Sequence, residues 1–151
     1  MSFKVNKSYE EIINDFITAC SLHLGIKSFD TGTIDFLDAS AANREYPYVF
    51  LRPVSSPGLQ ERTRTITFEL FSLDVPKQSN ESPVQLLSLT EQYLYDLISW
   101  FNEGTQQQTY DINVLSISPV NEAFQDRAFG WVAVINVTVP YVYDYCNFPK
   151  L

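Results

Sequence analysis

The chain has 151 residues, of which 45% are hydrophobic and 15% aromatic, and its formal net charge at pH 7 is -8. A chain of this length buries roughly two-thirds of the surface that its unfolded form exposes, so it needs neither metals nor disulfides as staples. The acidic balance argues against a nucleic-acid reader and against binding to anionic membranes, because both draw their affinity from clustered Lys and Arg. No apolar run approaches the roughly 20 residues of a membrane-spanning helix.

The amino terminus and the cysteines predict the same compartment. The residues from Met1 to Lys4 lead directly into polar sequence without the apolar segment of a secretory signal, so we expect synthesis in the cytoplasm. Cys20 and Cys146 show no Cys-x-x-Cys spacing, which predicts two unpaired thiols rather than a zinc site or a disulfide.

A capped helix is the first predicted element. Ser8 and Glu11 have the spacing of a capping box, in which each side chain satisfies a backbone N–H at the start of a helix. Apolar residues then recur at i, i+3 and i+4 as far as Leu24, and Gly25 is expected to end the helix as its C′ residue. The pattern predicts a helix of about four turns.

Three strands are predicted next. Thr33–Leu37 alternates with period two, and Tyr46–Leu51 is rich in β-forming residues, with Pro47 at its start or on a sheet edge. Two prolines and a glycine predict that Arg52–Arg62 is an exposed loop. Clean alternation over Thr63–Asp74 predicts a strand of an antiparallel sheet with one covered face.

The longest predicted helix follows a surface loop, Pro76–Glu81. Ser82 as N-cap, Pro83 at the first helical position and Gln85 three residues after the cap form a second start signal. A wide apolar stripe continues from there until Gly104 closes the helix.

A closing hairpin is predicted from two apolar strands, Tyr110–Ser118 and Ala128–Tyr143, which flank an enlarged turn at Pro119–Arg127. The second strand is apolar on both faces, which predicts that it is central or that it is covered at an oligomer interface. The tail Tyr141–Leu151 is too aromatic for an ordinary solvated terminus. Together the elements predict a single α+β domain over residues 1–151, with a mostly antiparallel sheet of four to five strands packed by two helices in the order α-β-β-β-α-β-β.

Few residues are typical of a catalytic, phosphate-binding or metal-binding site. His23 is the only histidine and has no Gly-x-Ser-x-Gly elbow to accompany it, so we expect a structural histidine on or near a helix surface. The five glycines form no phosphate-binding motif. Asp30, Asp35 and Asp38 lie close in sequence, but Asp35 alternates with apolar neighbours, which favours a solvent-facing carboxylate over a metal site. We therefore expect no enzyme activity, no cofactor and no metal.

Candidate contact residues lie in the predicted loops and the tail. Arg62 and Arg64 could pair with an acidic neighbouring subunit, or could form a solvated edge that limits aggregation. The tail tyrosines could anchor an interface, or could pack within their own chain. The candidate interface residues are Arg52, Leu59, Arg62, Arg64, Lys77, Tyr141, Tyr143, Tyr145 and Phe148.

The order of these elements resembles that of the tail-terminator or tail-completion proteins, the head–tail joining proteins of long-tailed bacteriophages. The resemblance covers nearly the whole chain and is carried by patterns rather than by signature motifs. Those patterns are the capped helix Ser8–Leu24, the strand Tyr46–Leu51 with its proline-rich loop, the strand Arg64–Asp74, the helix Pro83–Glu103 and the closing hairpin.

The resemblance implies a homo-oligomeric ring in the virion, a hexamer in the typical case. Such a ring caps the tail tube protein and joins it to the head-completion or connector protein, and DNA passes through its lumen without specific binding. A lumen lined with carboxylates would repel phosphate and let the duplex slide. No catalytic or membrane role is implied. The alternatives are a small-ligand-binding α+β protein and a cytoplasmic adaptor that acts as a monomer or dimer.

Overall fold

The computed structural model describes residues 6–33, 44–60, 62–77, 81–104, 109–123, 127–142 and 149. Within these residues, two α-helices and a five-stranded mixed sheet form an α+β fold, and their order confirms the predicted α-β-β-β-α-β-β. The elements are α1 (Tyr9–Leu22), β1 (Ser28–Thr31), β2 (Tyr48–Gln60), β3 (Thr63–Asp74), α2 (Pro83–Glu103), β4 (Asp111–Ala123) and β5 (Ala128–Pro140).

The strands lie side by side in the order β1-β2-β3-β5-β4. β1 runs parallel to β2, and every other neighbouring pair is antiparallel. Because β5 lies between β3 and β4, the apolar composition of both its faces reflects a central position, the first of the two predicted alternatives. Its apolar residues from Ala133 to Val139 on the helix side are buried by the chain itself.

Both helices begin as predicted. In α1 the hydroxyl of Ser8 accepts a hydrogen bond from the Glu11 N–H (3.2 Å), and the Glu11 carboxylate accepts one from the Ser8 N–H (3.0 Å). In α2 Ser82 and Gln85 form the same reciprocal pair, with Pro83 at the first helical position and Gly104 at the C-cap.

The end of α1 differs from the prediction. The C-cap is His23 in an extended conformation, so Gly25 is not the C′ residue. Gly25 serves another purpose, since a Cβ atom there would lie only 2.1 Å from the hydroxyl oxygen of Tyr93. The glycine lets the α2 tyrosine approach the backbone that follows α1.

The main core lies between the helices and one face of the sheet, here called the helix face. The ring of Phe16 contacts those of Phe101 (centroids 4.5 Å apart) and Phe68 (6.3 Å). Two hydrogen bonds also hold α2 to the sheet: the Trp131 indole N–H donates to the Leu87 carbonyl (2.8 Å), and the Ser72 hydroxyl donates to the Thr90 carbonyl (2.8 Å). The buried strand residues of this core include Val49, Leu51, Ile66, Phe68, Leu70, Ala133, Ile135 and Val137.

The opposite face, here called the far face, is divided along its length. One half carries a second apolar cluster, which consists of Tyr48, Phe50, Phe71, Leu73 and Ala128. The other half is polar, with hydrogen bonds from Thr67 to Asn136 (2.6 Å) and between Thr65 and Thr138 (3.0 Å). This polar half matches the predicted alternation of β3.

The predicted loop Arg52–Arg62 is wrong over most of its length, because β2 continues to Gln60. β1 pairs only with Tyr48–Leu51, so the rest of β2 is an outer edge of the described sheet. Some N–H groups of an edge strand point away from the sheet and have no partner strand. Proline is tolerated at those positions because the N–H that it lacks would form no hydrogen bond within the sheet. Two register shifts between Pro53 and Gly58 leave extra residues of β2 without a partner on β3.

The predicted turn Pro119–Arg127 is also too long, because β4 continues to Ala123, with Pro119 opposite Trp131. β4 is the other outer edge, so the same tolerance for proline applies. β5 ends at Pro140 rather than at Tyr143.

The strand Ser28–Thr31 was not predicted. Of the predicted strand Thr33–Leu37, Thr33 is outside any strand, and residues 34–37 lie outside the described residues. Of the three aspartates considered as a cluster, Asp30 accepts a hydrogen bond from the Tyr48 hydroxyl (3.3 Å), and Asp35 and Asp38 also lie outside the described residues. In the predicted loop Pro76–Glu81, the described Pro76 and Lys77 are exposed.

A polar network joins the start of the described chain to the end of β5. The Asn6 side chain donates to the Val142 carbonyl (2.9 Å) and accepts from the Val142 N–H (2.8 Å). Asp15 on α1 pairs with the Lys7 ammonium (2.9 Å) and accepts from the Tyr110 hydroxyl (2.5 Å). Burial, and then the hydrogen bond to Asp15, raise the pKa of Tyr110 above its ordinary value.

Gly130 should be essential to the centre of the sheet. A Cβ atom at Gly130 would lie 1.9 Å from the backbone oxygen of Ser72 on β3. We expect Gly130→Ala to lower the free energy of unfolding by about 3 kcal/mol or more, as severe overpacking does. The matched control is Gly58→Ala, where φ is +118° but no atom lies within 4 Å, and where only backbone strain of about 1–2 kcal/mol is expected. Urea unfolding measures both, and equal losses would contradict this account.

Tyr110→Phe tests the polar network. Removing the hydroxyl should cost about 1.5–3 kcal/mol at neutral pH, because the hydrogen bond is made to a carboxylate. Since the folded protein holds the Tyr110 proton to higher pH than the unfolded chain does, this contribution is present below the unfolded pKa of about 10 and declines above it. Unfolding followed across alkaline pH should therefore show wild type and Tyr110→Phe converging. A constant difference would show that the proton on Tyr110 is not coupled to folding.

Candidate assembly surfaces

His23 is a half-buried structural group. Its Nε2 lies 2.8 Å from the Asp96 carboxylate, and its Nδ1 accepts the Gly25 N–H at 3.0 Å, so Nε2 carries the proton and both nitrogens are engaged. Burial acts to raise the pKa of Asp96, but hydrogen bonds from His23 and Gln92 outweigh it and hold that pKa below its ordinary value. The pair joins the end of α1 to α2 and leaves no ring nitrogen to act as a base.

A shallow cleft lies between α1 and β1. Its volume is about 250 Å³, and its lining includes Cys20, Lys27 and Phe29. Burial raises the pKa of the Cys20 thiol to about 12, so the thiol stays protonated at neutral pH and is a poor nucleophile. Cys146 lies outside the described residues.

The described part of the chain contains no group of three or more His, Cys, Asp or Glu side chains placed to hold a metal ion. Neither described helix is long and apolar enough to cross a bilayer.

Four of the predicted interface residues come together at one end of the sheet. Leu59 and Arg64 are opposite each other in the β2–β3 pair, and Arg62 occupies the turn between these strands. The Tyr141 N–H donates to the Arg62 carbonyl (3.0 Å), and the Arg64 guanidinium lies 5.8 Å from the centre of the Tyr141 ring. Arg64 and Tyr141 therefore have partners within their own chain, whereas the Arg62 side chain is exposed.

The remaining predicted residues are dispersed. Arg52 forms an ion pair with Glu69 across β2 and β3 on the far face. Lys77 lies beyond the opposite end of β3, where its backbone N–H donates to the Glu81 carboxylate (2.8 Å). Tyr143, Tyr145 and Phe148 lie outside the described residues, and their role in an interface stays a prediction.

The outer edge of β2 exposes aliphatic side chains. All residues from Pro53 to Pro57 are exposed, and Val54 and Leu59 each expose 48% of their surface. Val54 is the extra residue at a register shift, because Pro53 pairs with Phe68 and Ser55 with Thr67.

The outer edge of β4 also exposes an aliphatic side chain at a register shift, and it has an acidic neighbour. Leu115 is the extra residue at a register shift and is 54% exposed. Asp111 is exposed nearby. The Asn102 side chain of α2 bonds both backbone groups of Ile112 (2.8 and 2.9 Å) and thus occupies the edge at that residue.

Charge is unevenly distributed over the molecule. Neither α1 nor α2 contains Lys or Arg; their acidic residues are Glu10, Glu11, Asp15, Glu91, Asp96 and Glu103. The described part of the β1–β2 side, in contrast, carries more basic than acidic residues, with Lys27, Arg44, Arg52 and Arg62 against Asp30 and Glu45.

No protein-family model matches the chain, and no curated protein matches it. Sequence reasoning identified Leu59 and Arg62 but missed Val54, Leu115 and Asp111 as edge residues. Prolines led us to end the strand before Val54, which falls in the predicted loop Arg52–Arg62. Leu115 and Asp111 lie within the predicted strand Tyr110–Ser118, but nothing in the sequence marks that strand as an edge. The available signal was β-rich composition on both sides of each proline, together with the rule that edge strands accept proline.

Arg62 should be replaceable without loss of stability. Its φ of 64° lies in the left-handed region, which glycine adopts freely and other residues adopt at a cost of about 1–2 kcal/mol. We expect Arg62→Gly to leave the free energy of unfolding unchanged or to raise it slightly. The matched variant Arg64→Gly should lower it by about 1 kcal/mol, because it places glycine inside a strand and removes the Tyr141 contact. Chemical denaturation distinguishes the two, and a large loss in Arg62→Gly would show that its side chain stabilises the fold.

Proposed function

We propose that this chain is a structural protein of a bacteriophage virion that forms a homo-oligomeric ring at the head–tail junction. In this role it caps the tail tube and joins it to the head connector. The element order that resembles the tail-terminator proteins is also the order of the folded chain, which supports the proposal. The comparisons with known proteins add nothing for or against it.

The observation that carries the proposal is the difference between the two outer edges of the sheet. A cyclic ring of more than two copies needs heterologous contacts, in which each copy presents two different surfaces. The β2 edge exposes Val54 and Leu59 next to Arg62, and the β4 edge exposes Leu115 next to Asp111. These surfaces lie on opposite sides of one rigid sheet, as head-to-tail association requires. β5 is not an edge, and its apolar residues from Ala133 to Val139 on the helix side are buried within the chain.

The charge of the helical layer suits a channel for DNA. With carboxylates and no Lys or Arg on either helix, this layer repels phosphate, so a duplex that passes it has no site at which to bind. We assign the helical layer to the lumen side of the ring. The partners on the two ends would be the tail tube protein and the head-completion protein.

A second candidate function is the binding of a small apolar ligand in the cleft between α1 and β1. The cleft is the observation that favours it. Its volume of about 250 Å³ falls below the roughly 300–1,000 Å³ of most ligand pockets, which makes this the weaker candidate.

The mass of the purified protein tests the proposed function. Light scattering with size-exclusion chromatography should give a particle several times the 17.3 kDa chain, with about six copies in the typical ring, and negative-stain images should show a closed annulus. The same experiment is repeated with purified tail tubes, whose ends the ring should cap. A strict monomer at all micromolar concentrations, with and without tubes, would overturn the proposal.

A further inference from the structure

We infer that the outer edges of β2 and β4 are the two halves of a single contact between copies of this chain. The β2 edge of one copy lies against the β4 edge of the next. This inference rests on the proposed ring and names the surfaces through which the ring closes.

The two edges are matched in height. A continuous row of paired residues crosses the sheet from Pro53 to Phe68, then to Ile135 and finally to Val114. Val54 and Leu115 each follow the last residue of this row on their own edge. Because β2 and β4 run in opposite directions, the two residues lie on opposite sides of the row, about one residue's rise (~3.3 Å) apart. When copies are arranged around a ring axis that runs along the strands, this offset leaves the Val54 side chain of one copy within reach of Leu115 of the next.

The direction of the strands is also compatible. Each of the pairs β2–β3, β3–β5 and β5–β4 is antiparallel, so β2 and β4 run in opposite directions. A neighbouring β2 that lies against β4 therefore continues the alternation of the sheet. No copy needs to be turned over, which is what a cyclic assembly of identical copies requires.

Charge on the two edges is complementary. On the β2 side Arg62 is exposed in the turn after the strand. On the β4 side Asp111 is exposed at the start of the strand, at the same end of the sheet. Glu103 is exposed there too, next to the Asn102 that bonds the edge. At this end of the sheet a basic residue on one copy thus meets acidic residues on the next, which orients the approach and disfavours contact between like edges.

The contact is one of side chains rather than a continuous backbone ladder. Pro53 and Pro57 on β2 and Pro119 on β4 have no N–H to donate, and Asn102 already bonds Ile112. These features limit indiscriminate addition of strands at an edge. The exposed aliphatic residues at the register shifts, flanked by opposite charges, are the groups that remain to form a specific contact.

Two variants that each block one edge test the inference. Val54→Asp blocks the β2 edge, and Leu115→Asp blocks the β4 edge. Both side chains are about half exposed, so the variants should fold, which circular dichroism and thermal unfolding verify. Each variant alone should be a monomer in light scattering. An equal mixture should form a dimer and nothing larger, because only one functional edge of each kind remains.

The control is Val84→Asp on α2, at a position that is 74% exposed and belongs to neither β2 nor β4. It makes the same chemical change near a helix N-terminus, where a carboxylate is tolerated, and it should assemble as the wild type does.

A charge exchange adds a second test. Arg62→Glu and Asp111→Arg should each weaken the assembly at least tenfold, and the double variant should recover most of the loss.

The results separate this inference from the proposed function. If wild type forms a ring and both edge variants still form it, the edge contact is wrong while the ring stands. The same conclusion holds if the mixture of edge variants stays monomeric. If wild type is a monomer with and without tail tubes, both are overturned.

Discussion

The pairing of β3 with β5 is the constraint on which the rest of the molecule depends. It joins residues 55 to 77 positions apart in the chain through twelve consecutive partners, from Thr63 with Pro140 to Asp74 with Phe129, without a register shift. Because the side chains of a strand alternate between faces, this one register decides which residues of both central strands meet the helices. It also explains Gly130, where the backbone of β3 leaves no space for a side chain.

The central pair is regular, and the outer strands absorb the irregularity of the sequence. The register shifts and the strand prolines other than the terminal Pro140 lie on β2 and β4. The sheet therefore has a regular centre and two outer edges that differ from each other in their register shifts and exposed residues. A protein that functions by presenting different surfaces on its two sides benefits from this arrangement, since changes on one edge do not disturb the core.

Sequence reasoning succeeded where one local rule determines the structure. The capping boxes at Ser8 and Ser82 and the alternation of Ile66, Phe68 and Leu70 follow from hydrogen bonding and periodicity over a few residues.

Sequence reasoning failed where a residue's environment depends on distant parts of the chain. Proline disrupts a central strand but not an edge, and whether β2 is an edge beyond Leu51 depends on how short β1 is. β1 has only four residues, Ser28–Thr31, and three of them are polar, so its pattern is too weak to predict a strand. Leu59 and Arg62 could be proposed as contact residues because they lie in a predicted exposed loop. The register shifts that expose Val54 and Leu115 depend on how β2 and β4 pair with distant strands, so nothing in the sequence selects these two residues.

Asn102 has a consequence for what can bind to the β4 edge. Its side-chain amide offers one donor and one acceptor, as a peptide group does, and with these it occupies both groups of Ile112 on the longest proline-free stretch of β4. A foreign strand that approached there would have to displace an internal hydrogen-bonding partner before gaining one of its own. The side chain thereby blocks strand addition at this part of the β4 edge, which disfavours fibres that grow by backbone pairing.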